Sequence, residues 1–379
     1  PKFDPPPDEV VYRGVTEEQW ETISRIGDPL NCRQQVFDLQ NLDLTEFHEF
    51  NPEDCKKDNC INLVLKNNNK IVLREGIYKS RHLDLNNKVL IGYPNERIII
   101  HATSNNAIST RNSIVSNLII QNAVNIGVRL YKNNLIYRVV VGNTGVYNKH
   151  SLRGIGFNQK GSYGSENNCI VSAEAYNGFN YNSSYSAGKF GGAADGFDAK
   201  FLSSKNLTFI DSHAHHNSDG GFDFYCSGNK SKTPLVRMYY SSAIHSRNPL
   251  KYGGDYGGIK LGGDRNEPEC NRRHERTTPR IMYATIACFN QKNIENGNNV
   301  KVKKINSNSD PFKLQCKDFA YIKKMKERSF DIMPGYEGEI NPAMELDITT
   351  FSDDAVCTYS ININKFKSQE SKWVKEANK

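Results

Sequence analysis

A short phrase recurs in the middle of this 379-residue chain and limits what it can fold into. Gly196-Phe197-Asp198, Gly221-Phe222-Asp223 and Gly258-Ile259-Lys260 each set a glycine before a large apolar residue and a charge, and an apolar residue follows: Ala199, Phe224 or Leu261. Successive side chains of a β-strand point to opposite faces. Phe197, Phe222 and Ile259 are therefore expected inside, and Asp198, Asp223 and Lys260 outside. On successive coils of a stacked parallel structure the three charges would form a column with about 4.8 Å per step. Asp195 and Asp219 stand just before the glycines and add two carboxylates. One such segment would read as a solvated charge on an ordinary strand; three aligned copies favour a built site.

A longer repeat surrounds the phrase. Its copies are Asn134–Val139, Asn168–Ala173, Asn206–Asp211, Val236–Ser241 and Arg280–Ala287, and three endings also match: Ala175-Tyr176-Asn177, His215-His216-Asn217 and Cys288-Phe289-Asn290. Adjacent copies lie roughly 30 to 45 residues apart, which is the spacing of repeat architectures. Short apolar runs such as Ile71-Val72-Leu73, Val89-Leu90-Ile91 and Ile98-Ile99-Ile100 extend the pattern toward the N-terminus. Each is a short strand bounded by Asn, Gly or charged residues. The expected fold is all-β, a right-handed parallel β-helix with an N-terminal capping helix and long loops on one face, among them 178–192 and 264–279. An antiparallel sandwich or propeller would want Asn-Gly or Asp-Gly turns between cleanly alternating strands, and Asn177-Gly178 and Asn296-Gly297 are not flanked that way.

Three segments are expected. Residues 1–60 carry a helix that starts at Thr16 with an acidic first turn and runs to Ile26, placed to cap the open end of the coils. Residues 61–300 form the β-helix core. Residues 301–379, where the pattern fades, add coils or a second cap.

Composition narrows the partner. Net charge is +7 and mean hydropathy −0.65. A basic chain favours an anionic partner. Without a Lys/Arg block interleaved with aromatics, nucleic acid is not expected. No apolar run approaches the ~18 residues of a membrane helix, so no membrane span is expected. The nine cysteines show no CxxC pair. Cys169 and Cys288 lie in apolar runs and read as buried thiols, whereas Cys32, Cys55, Cys60, Cys270, Cys316 and Cys357 lie in polar stretches suited to disulfides. The chain begins at Pro1, which suggests a removed leader. A secreted or periplasmic monomer is expected.

The cluster points to metal-assisted proton abstraction. Asp195, Asp198, Asp219 and Asp223 supply carboxylate oxygens, the donors Ca²⁺ prefers. Lys260 on the next coil suits a base that removes the C5 proton of a uronic acid, once a cation has neutralised the sugar's carboxylate. A free lysine titrates near ~10.4, and nearby positive charge would bring it down. Arg265, Arg272, Arg273 and Arg276 follow Lys260 in one loop and are candidates for binding substrate acid groups, with His274 beside them; Tyr252 and Tyr256 are candidates for stacking on sugar rings. A solvated basic loop and packed tyrosines compete with these readings. His213, His215 and His216 are expected to be surface-column or packed imidazoles rather than catalytic ones.

Ala194-Asp195-Gly196-Phe197-Asp198-Ala199-Lys200, Asp219-Gly220-Gly221-Phe222-Asp223 and Gly258-Ile259-Lys260-Leu261-Gly262-Gly263 resemble, in order and spacing, the motifs of polysaccharide lyase family 9, over about residues 165 to 292. The resemblance implies a right-handed parallel β-helix, calcium held by Asp195, Asp219 and Asp223, and Lys260 as the base. Gly220 departs from the pattern, since the family has a second Asp there. Asp198, where the family has a small residue, is expected one coil from Asp223 and is a candidate for the missing oxygen. The same scaffold resembles lyases of bacterial biofilm exopolysaccharides, and an acidic bacterial exopolysaccharide is favoured over pectate as the substrate. The alternatives are a β-helix glycoside hydrolase, which needs two spaced carboxylates and leaves Lys260 idle, and a carbohydrate-binding or adhesive β-helix without catalysis.

Overall fold

The computed structural model describes residues 14–55, 57–145, 153–159, 165–179, 193–199, 206–215, 217–224, 236–244, 257–260, 280–283, 285–288, 292–295 and 358–359. Within them the chain winds through eight successive coils. A lead-in strand, β1 (His48–Phe50), pairs in parallel with β2 (Lys70–Leu73). The first coil is β2, β3 (Gly76–Ser80) and β4 (Leu83–Asn86); the second is β5 (Val89–Gly92), β6 (Ile98–Ala102) and β7 (Asn106–Arg111). In the third and fourth coils the first two strands fuse into one bent strand: β8 (Ile114–Gln121) leads to β9 (Ile126–Leu130), and β10 (Leu135–Gly142) to β11 (Ile155–Gln159). The fifth coil is β12 (Asn168–Val171), β13 (Glu174–Tyr176) and β14 (Phe197–Asp198), and the sixth is β15 (Leu207–Ile210), β16 (His213–His215) and β17 (Phe222–Asp223). The seventh is β18 (Val236–Tyr239), β19 (Ser242–Ile244) and β20 (Gly257–Lys260), and the eighth is β21 (Arg280–Tyr283), β22 (Thr285–Cys288) and β23 (Lys292–Glu295).

Strands of successive coils pair in parallel. The last strands of all eight coils form one sheet, and the others form a larger sheet that bends around the core. A short β24 (Thr358–Tyr359) runs antiparallel beside β22. This is the parallel β-helix that the repeats imply. The rest of 301–379 lies outside the described residues.

Asparagine makes the corners. Asn112, Asn133, Asn167 and Asn206 precede the first strand of successive coils, and all have positive φ, between 49° and 55°. This left-handed conformation is costly for most L-residues and is best tolerated, after glycine, by Asn and Asp. The amides also stack: Asn133 donates to Asn112 Oδ1 at 3.0 Å, Asn167 to Asn133 at 3.3 Å and Asn206 to Asn167 at 3.4 Å. A second set of left-handed residues, Asn117, Arg138, Ser172, Asp211 and Tyr240, makes the next bend in coils three to seven, within the bent strands β8 and β10 and between the first and second strands of the later three.

The interior is columnar. Phe157, Phe197 and Phe222 stack face to face with centroids 4.8 and 4.6 Å apart, and Phe209 meets Phe197 and Phe222 edge-on at 5.6 and 5.5 Å. These rings supply much of the buried apolar area where the candidate site lies, in geometries that aromatic quadrupoles favour.

Three helices precede the coils. α1 (Glu17–Ile26) starts at Thr16, as the sequence indicated, with a reciprocal capping box to Gln19. It does not close the core. Trp20 and Ile23 of α1, with Val36 and Leu39 of α2 (Cys32–Gln40), pack on the outer side of the larger sheet against Leu135, Tyr137 and Val171. The capping helix is instead α3 (Cys60–Asn67), whose Cys60, Ile61 and Leu65 enter the inner cluster with Ile71, Leu83 and Leu90 of the first coils. The expected buried thiol at Cys169 is also corrected. Cys169 points outward from β12 and forms a disulfide with Cys32 of α2, Cα atoms 5.7 Å apart, which fastens the helices to the barrel wall. Cys55 and Cys60 form a second disulfide.

Candidate active site

On the outward side of the eight-stranded sheet one row can be followed by register from end to end: Asp84, Ser109, Arg129, Asn158, Asp198, Asp223, Lys260 and Glu295. The neighbouring inward row is Leu83, Ile108, Val128, Phe157, Phe197, Phe222, Ile259 and Ile294. Asp198, Asp223 and Lys260 thus occupy three consecutive rungs, as alternation required. Glu295 is the rung beyond Lys260.

The glycines at 196 and 221 have a steric cause. A Cβ on Gly196 would lie 2.7 Å from Ala214 Cβ and 2.9 Å from the Gly221 carbonyl oxygen; on Gly221 it would lie 2.6 Å from Ala243 Cβ and 2.6 Å from the Gly258 oxygen. The sheets meet here too closely for two full side chains, so one wall carries glycine and the other alanine.

The aspartates differ in their surroundings. Asp198 accepts a hydrogen bond from Asn158 Nδ2 at 3.0 Å, and Asp219 Oδ2 accepts the Ala193 N–H at 2.6 Å. Asp223 is buried on the row itself. Asp195, two residues before β14, is fully buried, and its carbonyl accepts the Gly156 N–H at 3.0 Å. Arg153 borders the same cluster: burial holds its guanidinium below the ordinary arginine value, the carboxylates of Asp198 and Asp195 oppose that shift, and the charge of Arg129 adds to it.

All these acidic donors are carboxylate oxygens on neighbouring coils, so in kind they suit calcium. Among the described residues, however, no three His, Cys, Asp or Glu side chains converge closely enough to hold an ion as they stand. Lys260 is placed by its backbone, as Cα partner of Asp223 on one side and Glu295 on the other. Tyr252, Tyr256, Arg265, Arg272, Arg273, His274 and Arg276 lie outside the described residues.

A family model described as "Pel9A-like, right handed beta helix region" matches residues 63–326. The chain belongs to this family. A solved structure entitled "Crystal structure of pectate lyase Pel9A" is similar at 17% identity with a TM-score of 0.45, over 60% of this chain and 61% of that one, less than two thirds of its length. No curated protein matches the sequence.

In this Pel9A-like β-helix His213 and His215 are packed rather than set in a surface column; His216 lies outside the described residues. His213 bonds Ser242 Oγ at 2.7 Å and Asp211 Oδ1 at 2.8 Å, and His215 bonds Glu174 Oε1 at 2.8 Å while stacking on Tyr176. Ser242 has no solvent exposure, so the Ser–His–Asp arrangement offers no accessible nucleophile. Sequence reading missed Asn158 and Arg129. The signal was there: Gly156-Phe157-Asn158 and Gly127-Val128-Arg129 repeat the same glycine–apolar–polar phrase one and two coils earlier.

Proposed function

We propose that this chain cleaves a uronic-acid-containing polysaccharide by β-elimination. The observation that carries the reading is the register Asp198–Asp223–Lys260, which puts a lysine and two aspartates on consecutive rungs of one parallel sheet. Lys260, as the neutral amine, takes the C5 proton. The C5–H electron pair becomes the C4–C5 double bond, and O4 leaves with the electrons of its bond to C4 and acquires a proton from water. Asp195, Asp219 and Asp223, with Asp198 in place of the oxygen that Gly220 lacks, are the residues that would hold calcium, and the ion would supply positive charge against the uronate carboxylate. The substrate we favour is an acidic bacterial exopolysaccharide, with a pectate-like polymer second. The two disulfides suit an oxidising compartment, in keeping with an exported enzyme.

The test is a panel of acidic polysaccharides followed in the ultraviolet, with and without a chelator. Elimination leaves a double bond conjugated to the carboxylate, which absorbs, whereas hydrolysis yields reducing ends without that absorbance. Lys260→Ala should abolish the signal with an unchanged circular dichroism spectrum. Absorbance that persists in this variant removes Lys260 as the base.

A further inference from the structure

We propose that Arg129 and Arg153 form a subsite for a second acidic sugar of the same polymer, on the N-terminal side of the cluster. The proposal builds on the lyase reading above and adds where the chain lies. Arg129 is two rungs from Asp198 and four from Lys260, about 10 and 19 Å at the spacing of paired strands. It is half-exposed, yet its Nε is buried and donates no hydrogen bond among the described residues. Arg153, whose N–H donates to Asn125 Oδ1 at 3.2 Å four positions before Arg129, is close enough for the two like charges to act on each other, and the carboxylates of Asp198 and Asp195 act on it as well. An anion received at this pair would relieve that repulsion, and a guanidinium is shaped to take a carboxylate with two parallel N–H donors.

The next residues on the same face complete the picture. Tyr131 lies two positions past Arg129, and the Arg111 guanidinium sits 5.0 Å over its ring. Together they make a flat surface suited to the apolar face of a pyranose. Cations thus occupy coils two to four, carboxylates coils five and six, and Lys260 coil seven. A polyanion laid along this row meets the arginines with one sugar while another reaches the base.

The experiment is calorimetric titration of oligogalacturonates and oligoglucuronates of two to six residues into the Lys260→Ala protein, so that nothing is consumed. We expect hexamers to bind more tightly than dimers. Adding Arg129→Gln should weaken hexamer binding about tenfold and leave dimer binding within about twofold, with Arg129→Lys intermediate. Fully methyl-esterified hexamers should bind both proteins alike. Equal hexamer affinity with and without Arg129, at unchanged melting temperature, overturns the subsite, as does failure of every oligouronate to bind. Ultraviolet assay of the unmutated protein separates this from the lyase reading. Elimination with Arg129-independent affinity sinks the subsite alone, and Arg129-dependent affinity without elimination keeps the subsite and sinks the lyase.

Discussion

Asp223 and Lys260 are partners across one rung of a parallel ladder, 37 positions apart in the chain and about 4.8 Å apart in the sheet. Asp198 is the rung before them and Glu295 the rung after. Each charge stands on its own coil, so the loop between coils can vary in length without disturbing the row.

Removal of Asp198 tests whether it replaces the carboxylate absent at Gly220. Asp198→Ala should lower calcium affinity and elimination rate by roughly 10- to 100-fold, the range seen when support around a metal is lost. Calorimetry with calcium and the ultraviolet assay check this, and unchanged values in both would take Asp198 out of the site.

The phenylalanine stack should dominate local stability. Phe222→Ala removes the ring that stacks on Phe197 and meets Phe209 edge-on, and should cost about 3–5 kcal/mol. Denaturant unfolding measures it, and a loss below about 1 kcal/mol would mean that the column is not packed as described.

The disulfide between Cys32 and Cys169 closes a loop of 137 residues. Cys32→Ser should therefore destabilise by about 2–4 kcal/mol, and adding Cys169→Ser should cost little more, because the pair is lost once. Additive losses in the two single variants would show that the bond does not form.

At Asn133 two effects can be separated. Its φ of 55° penalises any residue with a Cβ, and its amide bridges Asn112 and Asn167. Asn133→Ala should cost about 1–2 kcal/mol and Asn133→Gly clearly less, since glycine removes the conformational penalty but not the loss of the bridge. Equal melting temperatures for the two variants would assign the effect to the amide ladder alone.

Acidification should weaken the fold through His82 and His101. Burial holds both below the ordinary imidazole value; Asp84 opposes the shift at His82 while Arg129 adds to it, and Lys79 adds to it at His101. The unfolded chain therefore binds protons before the folded one does. Their contribution is intact above about pH 6.5 and is lost as pH falls through the folded-state values. Melting temperature should fall between neutral pH and about pH 5, and less steeply in His82→Gln/His101→Gln. Identical slopes would dismiss both residues.

Local sequence determined the coils and the row. Strand alternation and the recurring glycine–apolar–polar phrase placed Asp198, Asp223 and Lys260 on one outward line, because a period of two leaves a short strand little choice of face. The copies that open at Asn134 and Asn168 begin one position after the left-handed corners Asn133 and Asn167, and Asn206 is itself a corner, because few residues accept that turn. What lies across space was not legible. The helical patch at Thr16 was, but its apolar stripe suits the outer sheet as well as the open core, and only packing put α3 at the mouth. The partner of Cys169 depended on α2 lying over β12, a contact between residues 137 positions apart. Asp195 was read from its own short phrase, whereas its backbone is held by Gly156 of the preceding coil, 39 positions earlier. Sequence sets what each coil presents, because that is a matter of local geometry; the fold decides which surfaces meet, because burial rewards any complementary pair that stacking brings together.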